Sequence, residues 1–300
     1  MSHKKESLLF GAHMSIAGGL ELAYQAGESI GCTAIQIFSK SNRQWAARHL
    51  DSDALTAFKN AQTVSTIQST IVHASYLINI GAPDHATHSK SVSALLIELD
   101  RCEKLNIPYL VLHPGSHGKT DEKTCLDKIS DTLNMVFEKS TTKTTILLEN
   151  MAGQGSSVCY LFEQLGYIIA QSEFKRRLGV CFDTCHAFAS GYDFRTQHTY
   201  EQMWNAFDAH IGIHKLKAMH INDSKKPLGS CVDRHEDIGK GYLGLEAFAL
   251  LFNDVRFFSI PKILETPRAT LADYARNMDT IKKLIMPKTW KLLDRSESQQ

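Results

Sequence analysis

Six short apolar runs in this chain each stop at a residue able to bind a metal ion: Ser69-Thr-Ile-Val-His73, Tyr109-Leu-Val-Leu-His113, Thr145-Ile-Leu-Leu-Glu149, Gly179-Val-Cys-Phe-Asp183, Leu216-Lys-Ala-Met-His220 and Lys262-Ile-Leu-Glu265. Runs of this length and composition suit strands buried on both faces. A carboxylate or imidazole at the end of every one is hard to explain by packing. Parallel strands bring their C-terminal ends to one rim, where such residues can share a cluster of divalent cations. His186, three residues after Asp183, and the pair Asp233 and His235 complete nine candidate ligands.

Segments with apolar residues at helical spacing separate the runs. Strands are expected at residues 8–13, 33–38, 70–74, 108–113, 145–149, 178–183, 216–221 and 261–265, with helices after each, the last over 269–284. Eight strand–helix units predict one α/β domain, a (β/α)8 TIM barrel with the metal site at the C-terminal rim. A doubly wound sheet competes, but no Gly-rich dinucleotide turn supports it. The expected layout is a short extension at 1–7, the barrel at 8–287 and a polar, fraying tail at 288–300.

Lys plus Arg number 33 against 32 Asp plus Glu, so no simple basic groove is expected. Three divalent ions on the nine ligands would raise the net charge to about +7. That positive field would sit at the site and suit an anionic substrate. Seven cysteines form no disulfide framework, and the chain shows neither an apolar leader nor a membrane-length stretch. A reduced, cytoplasmic setting without a membrane partner follows. Period-two alternation sends Cys181 into the core, one layer beneath Asp183.

Taken singly, a strand-end His is more often a hydrogen-bonded structural residue, and a strand-end Asp or Glu more often caps the next helix. Nine together on one rim favour metal binding. Imidazole and carboxylate without a required thiolate suit zinc, with manganese admissible. Nine ligands with one bridging carboxylate serve three ions, and ions about 3.5–4 Å apart suit in-line displacement at phosphorus. Asn150 and Asn222-Asp223 stand ready to hydrogen-bond the ligands.

At this point the motifs resemble the endonuclease IV family of zinc-dependent apurinic/apyrimidinic (AP) endonucleases. The resemblance rests on His73-Ala-Ser-Tyr76-Leu77-Ile78-Asn79-Ile-Gly81, on Gly179-Val-Cys-Phe-Asp183-Thr-Cys-His186, and on His220-Ile-Asn-Asp-Ser-Lys225 through Gly229-Ser-Cys-Val-Asp233-Arg-His235. Shorter matches are Gly11-Ala-His13, Asn42-Arg43-Gln44-Trp45, His113-Pro-Gly115, Glu149-Asn150 and Glu265-Thr266, so it spans residues 8–286.

The resemblance implies hydrolysis of the DNA backbone 5′ to an abasic site, leaving a 3′-hydroxyl and a 5′-deoxyribose phosphate, with repair of blocked 3′ ends as a related activity. It implies three Zn2+ ions, with Mn2+ admissible at one position. One would lie on His73, His113 and Glu149, another on Glu149, Asp183, His220 and Glu265, and the third on His186, Asp233 and His235. Glu149 and Glu265 would be the catalytic carboxylates. Arg43, Gln44, Tyr76, Leu77 and Asn79 would meet double-stranded DNA, with Tyr76-Leu77 as an apolar wedge beside an extruded abasic nucleotide. Rim residues Lys225, Lys226, Arg234 and Arg268 could contact phosphates. His13 is expected to hydrogen-bond a ligand carboxylate without itself binding metal. A self-sufficient barrel predicts a monomer. The competing readings are a metal-dependent sugar isomerase or epimerase on a related barrel, and a non-catalytic binder of abasic DNA.

Overall fold

Which side chains fill a barrel is decided by strand alternation, because residues two apart point to the same face. In a computed structural model, which describes residues 8–295, eight parallel strands close into a barrel. They are β1 (Phe10–His13), β2 (Ala34–Phe38), β3 (Ser69–His73), β4 (Tyr109–Leu112), β5 (Thr145–Glu149), β6 (Leu178–Asp183), β7 (Leu216–Ile221) and β10 (Lys262–Leu264), with β10 pairing with both β7 and β1. The helices are α1 (Leu22–Ser29), α2 (Ser52–Val64), α3 (His85–Lys104), α4 (Glu122–Lys139), α5 (Phe162–Gln171), α6 (Thr184–Ala189), α7 (Gln197–His210), α8 (Gly244–Phe252), α9 (Leu271–Leu284) and α10 (Pro287–Arg295). A short ribbon, β8 (Asp223–Ser224) with β9 (His235–Glu236), rises above β7. The barrel and its element order are those expected from the sequence.

One layer of the interior is a plug of seven fully buried residues: Ala34, Ile71, Val111, Leu147, Cys181, Ala218 and Ile263. Each strand places its rim residue two positions beyond its plug residue. The resulting upper layer reads Gln36, His73, His113, Glu149, Asp183, His220 and Glu265, and His13 stands in the same relation to Gly11. Gly11 leaves its share of the plug empty because a Cβ there would lie 1.8 Å from the Ala34 carbonyl oxygen. The outer faces of the strands pack on helices, as Phe182 does against Phe162, Trp204 and Phe207.

Local signals start the helices. Asp51, Asp84 and Asp121 accept hydrogen bonds from the backbone N–H groups of Ala54, Thr87 and Thr124, capping α2, α3 and α4. The expected fraying tail is corrected in part. Pro287 opens α10, and Thr289 and Leu293 are buried while Trp290 packs on the core. The extension at 1–7 and the last five residues lie outside the described residues. No described helix is long and apolar enough to cross a membrane.

Lys262, on β10, points to the outer face of the barrel and is 1% exposed, its ammonium donating to the carbonyls of Phe257 and Ile260 and lying over the Phe252 ring. Burial pulls its pKa from 10.5 down to about 7, against the opposing pull of Asp254. Between those values the unfolded chain binds more protons than the folded one, so this lysine makes stability rise with pH from about 7 toward 10.5. Lys262→Met is expected to flatten that rise by on the order of a few kcal/mol. Parallel melting curves of wild type and variant at neutral and alkaline pH measure the difference. Identical slopes would refute it.

Candidate metal centre

The upper layer brings six candidate ligands to one rim, α6 and the segment after β7 add His186, Asp233 and His235, and backbone hydrogen bonds aim several of them. His73 Nδ1 meets the Ala74 carbonyl at 2.7 Å, His186 Nδ1 that of Asn150 at 3.0 Å, and His235 Nδ1 that of Glu265 at 3.0 Å. Each ring so held donates from Nδ1 and turns its Nε2 lone pair into the site. His220 is held the other way round. Its Nε2 meets Gln36 Oε1 at 2.8 Å, which leaves Nδ1 facing the carboxylates.

Glu149, fully buried at the end of β5, lies at the centre. Its Oε2 is 3.3 Å from the Nε2 atoms of both His73 and His113, and its Oε1 is 3.0 Å from His220 Nδ1. His220 Nδ1 is also 3.3 Å from Glu265 and 3.8 Å from Asp183. One carboxylate thus faces two ligand groups. The first comprises His73, His113 and Glu149, and the second Glu149, Asp183, His220 and Glu265.

A third group lies on the outer side. Asp183 caps α6 by accepting from the His186 N–H at 2.8 Å, and this short helix carries His186 inward. The β8–β9 ribbon brings His235 back over the rim. Asp233 then lies 3.2 Å from His186 Nε2 and 3.3 Å from His235 Nε2. Asp183 also comes within reach of His186 and His235, and Cys185 within reach of Asp233 and His235. The grouping is therefore broader than the trio expected from the sequence. Burial pushes the Cys185 thiol up to about 12, with Asp183 adding to the effect, so at neutral pH it keeps its proton.

These residues fit a metal ion. The Nε2 atoms of His186 and His235 are buried without a hydrogen-bond partner, although carboxylate oxygens lie close by. Ligand atoms on one tetrahedral zinc, at about 2.0–2.1 Å from it, stand roughly 3.3 Å apart. The nitrogen–oxygen separations above fall around that value. The field agrees. Burial disfavours ionisation of Glu149, yet His220 and His113 outweigh it and hold the carboxyl well below its usual range. Burial likewise disfavours protonation of His235, but Asp233 and Asp183 raise it to about 9. A position that favours an added proton so strongly also favours an added cation.

Hydrogen bonds around the ligands fix their angles. Asn150 Oδ1 accepts from the Asp183 N–H at 2.7 Å, and Asn222 donates to Asp183 Oδ2 at 2.7 Å while accepting from the Glu265 N–H. His13 Nδ1 lies 3.4 Å from Glu265 Oε1. Sequence reasoning missed Gln36. Its amide nitrogen donates to Glu265 Oε1 at 2.6 Å and sits 3.0 Å from His13, while its oxygen holds His220. The available signal was a lone amide in the strand Ala34-Ile-Gln-Ile-Phe38, two positions after a plug residue.

Arg43 and Gln44 are exposed on the loop 39–51, on the same rim. Tyr76 is 52% exposed, yet its ring packs 5.1 Å from that of His73 and 5.3 Å from that of His113. Leu77 beside it is half-buried. Asn79, expected to meet DNA, is engaged within the protein. Its amide donates to the carbonyl and hydroxyl of Ser116 and accepts from the Gly81 and Ser116 N–H groups. Every hydrogen-bonding position it has is committed to joining two rim loops. Among the basic rim residues, Lys225 pairs with Glu236 at 3.4 Å and the Arg268 guanidinium lies over Tyr274.

A family model described as a xylose isomerase-like TIM barrel matches residues 24–284. A protein of Chloroflexus aggregans named "Probable endonuclease 4" is 44% identical over 92% of this chain and 97% of its own length. One of the same name from Geobacter sulfurreducens is 43% identical over 94% of this chain and 96% of its own. Among solved structures, endonuclease IV from Thermus thermophilus superposes with a TM-score of 0.81 at 34% identity, covering 92% of this chain and 98% of that one. A D-tagatose 3-epimerase-like protein superposes with a TM-score of 0.68 at 17% identity, over 96% of this chain and 99% of that one, a likeness of fold.

Proposed function

From the premise that the chain belongs to the endonuclease IV family of DNA-repair endonucleases, we propose that it hydrolyses the phosphodiester 5′ to an abasic site in double-stranded DNA. The products are a 3′-hydroxyl and a 5′-deoxyribose phosphate, and blocked 3′ ends are a second substrate. The observation that carries this reading is Glu149, whose two oxygens are divided between two ligand groups with a third group alongside. That arrangement favours a trinuclear centre, with Zn2+ as the ion and Mn2+ admissible at one position. A sugar isomerase or epimerase has no use for the third group.

His73, His113 and Glu149 hold one position, Glu149, Asp183, His220 and Glu265 the next, and His186, Asp233 and His235 the third. The chemistry such a centre supplies when loaded is Lewis acidity toward phosphoryl oxygens and a water acidic enough to act as nucleophile at neutral pH. Water oxygen adds to phosphorus, the bond from phosphorus to the 3′ oxygen breaks, and that oxygen leaves as the 3′-hydroxyl after taking up a proton. Gln36 and His13 keep Glu265 oriented, and Asn150 and Asn222 do so for Asp183. The plug keeps water out from below. Tyr76 and Leu77 fill the space left in the duplex and the Arg43 guanidinium occupies its gap, at low energetic cost because the missing base has already removed the stacking.

The test is cleavage of a labelled duplex with one tetrahydrofuran residue, before and after chelation and again after zinc is restored. This analogue cannot undergo β-elimination, so a metal-dependent nick ending in a 3′-hydroxyl establishes hydrolysis, and a folded, metal-loaded protein that leaves the duplex intact refutes it. Tyr76→Ala is expected to weaken abasic-duplex binding roughly tenfold and intact-duplex binding less. Equal losses on the two duplexes would assign Tyr76 a packing role.

A further inference from the structure

Glu98 lies in the middle of α3, away from the metal ligands, and is 1% exposed. A carboxylate is rarely buried so completely without partners that need it. Its partners come from two different rim loops. From the loop after β2, the Ser39 hydroxyl donates to Glu98 Oε2 and the Lys40 ammonium lies 3.7 Å from Oε1. From the loop after β3, the Ser75 N–H donates to Oε1 at 3.3 Å.

The surrounding bonds extend the clasp. Lys40, itself 5% exposed, donates to the Gln44 carbonyl at 2.7 Å. Arg101, one turn beyond Glu98, donates to the Ser39 carbonyl and hydroxyl and to the Arg48 carbonyl at 2.9 Å. The Ser75 hydroxyl closes the circuit by donating to the Asn42 carbonyl at 2.8 Å. Arg43 and Gln44 thus stand on one side of the clasp, and Tyr76 with Leu77 on the other.

We propose that Glu98 is a positioning residue for substrate binding, locking the loops that carry Arg43 and Tyr76 into one rigid unit that meets the damaged duplex. The inference rests on the abasic-DNA reading of the site. A rigid unit lowers the ordering needed on binding, so its loss is felt in affinity for the duplex and not in the metal centre.

The experiment measures KM and kcat of the zinc-loaded protein on the tetrahydrofuran duplex, with metal content determined on the same samples. Glu98→Gln keeps the shape but removes the charge that holds Lys40. It is expected to raise KM roughly tenfold with kcat little changed and metal content unaltered. In a Tyr76→Ala background the same substitution should do markedly less, because its effect passes through that loop. An unchanged KM, a joint loss of kcat and metal, or the same loss in both backgrounds overturns the inference. Should Glu98→Gln fail to fold, Ser39→Ala is judged by the same outcomes, since it removes the hydroxyl between Glu98 and Arg101 and leaves the buried charges paired. Failure of the wild type to cut refutes the functional reading and this inference with it. A wild type that cuts beside an unaltered Glu98→Gln refutes the inference alone.

Discussion

Glu149→Gln is expected to lower cleavage of the abasic duplex by on the order of 10³-fold or more. The amide keeps the shape of the side chain and removes the charge that two ligand groups share through Oε1 and Oε2. Its amino group would also present hydrogens toward imidazole nitrogens that now face a carboxylate oxygen. Bound metal should fall together with activity, while binding of the abasic duplex survives because the loops bearing Arg43 and Tyr76 are untouched. Glu265→Gln acts in the same direction, since Gln36 donates to Glu265 Oε1 and His220 lies 3.3 Å from Oε2. Metal analysis, single-turnover cleavage and duplex binding on one preparation decide the matter. Wild-type cleavage in Glu149→Gln would remove the bridging carboxylate from the mechanism.

Stripping the metal is expected to lower the melting temperature by about 10 °C or more. Four carboxylates, Glu149, Asp183, Asp233 and Glu265, meet five imidazoles in this centre, and Glu149 and Asp183 are completely buried. Their mutual repulsion is relieved by bound cations or by protons taken up on the histidines. One site filled at about a thousand times its dissociation constant contributes ~4 kcal/mol, and a chain of this size gains roughly 1.5 °C per kcal/mol. Several sites therefore exceed 10 °C by a margin that calorimetry with and without chelator resolves easily. Melting that ignores the chelator would mean that the centre carries no binding energy into the fold.

The barrel was legible because its two periods are plain in the chain: apolar runs of strand length, and helical spacing between them. Six of the nine candidate ligands were legible for a related reason, since ionisable groups at the ends of apolar strands stand out. What stayed hidden depends on tertiary placement. Gln36 carries no charge and sits within a strand, so nothing local distinguishes it from a tolerated polar residue. Glu98 falls on a helix between Ile97 and Leu99, where a glutamate ordinarily faces solvent; only the two loops folding over α3 bury it. Asn79 lies in the motif that resembles the family most closely, yet its hydrogen bonds go to Ser116, thirty-seven residues later. The ribbon carrying His235 has too few residues to announce itself by periodicity.

The seven-residue plug makes the centre a socket with one mouth. Whatever enters or leaves must cross the rim, and a duplex seated on Arg43, Tyr76 and Leu77, as proposed, would cover that opening. Metal exchange and substrate binding would therefore compete for a single doorway. On the proposed reading, a chelator that empties the free protein would have no route to the ions while DNA is seated, so an enzyme waiting on a lesion would be protected from demetallation for as long as it stays there.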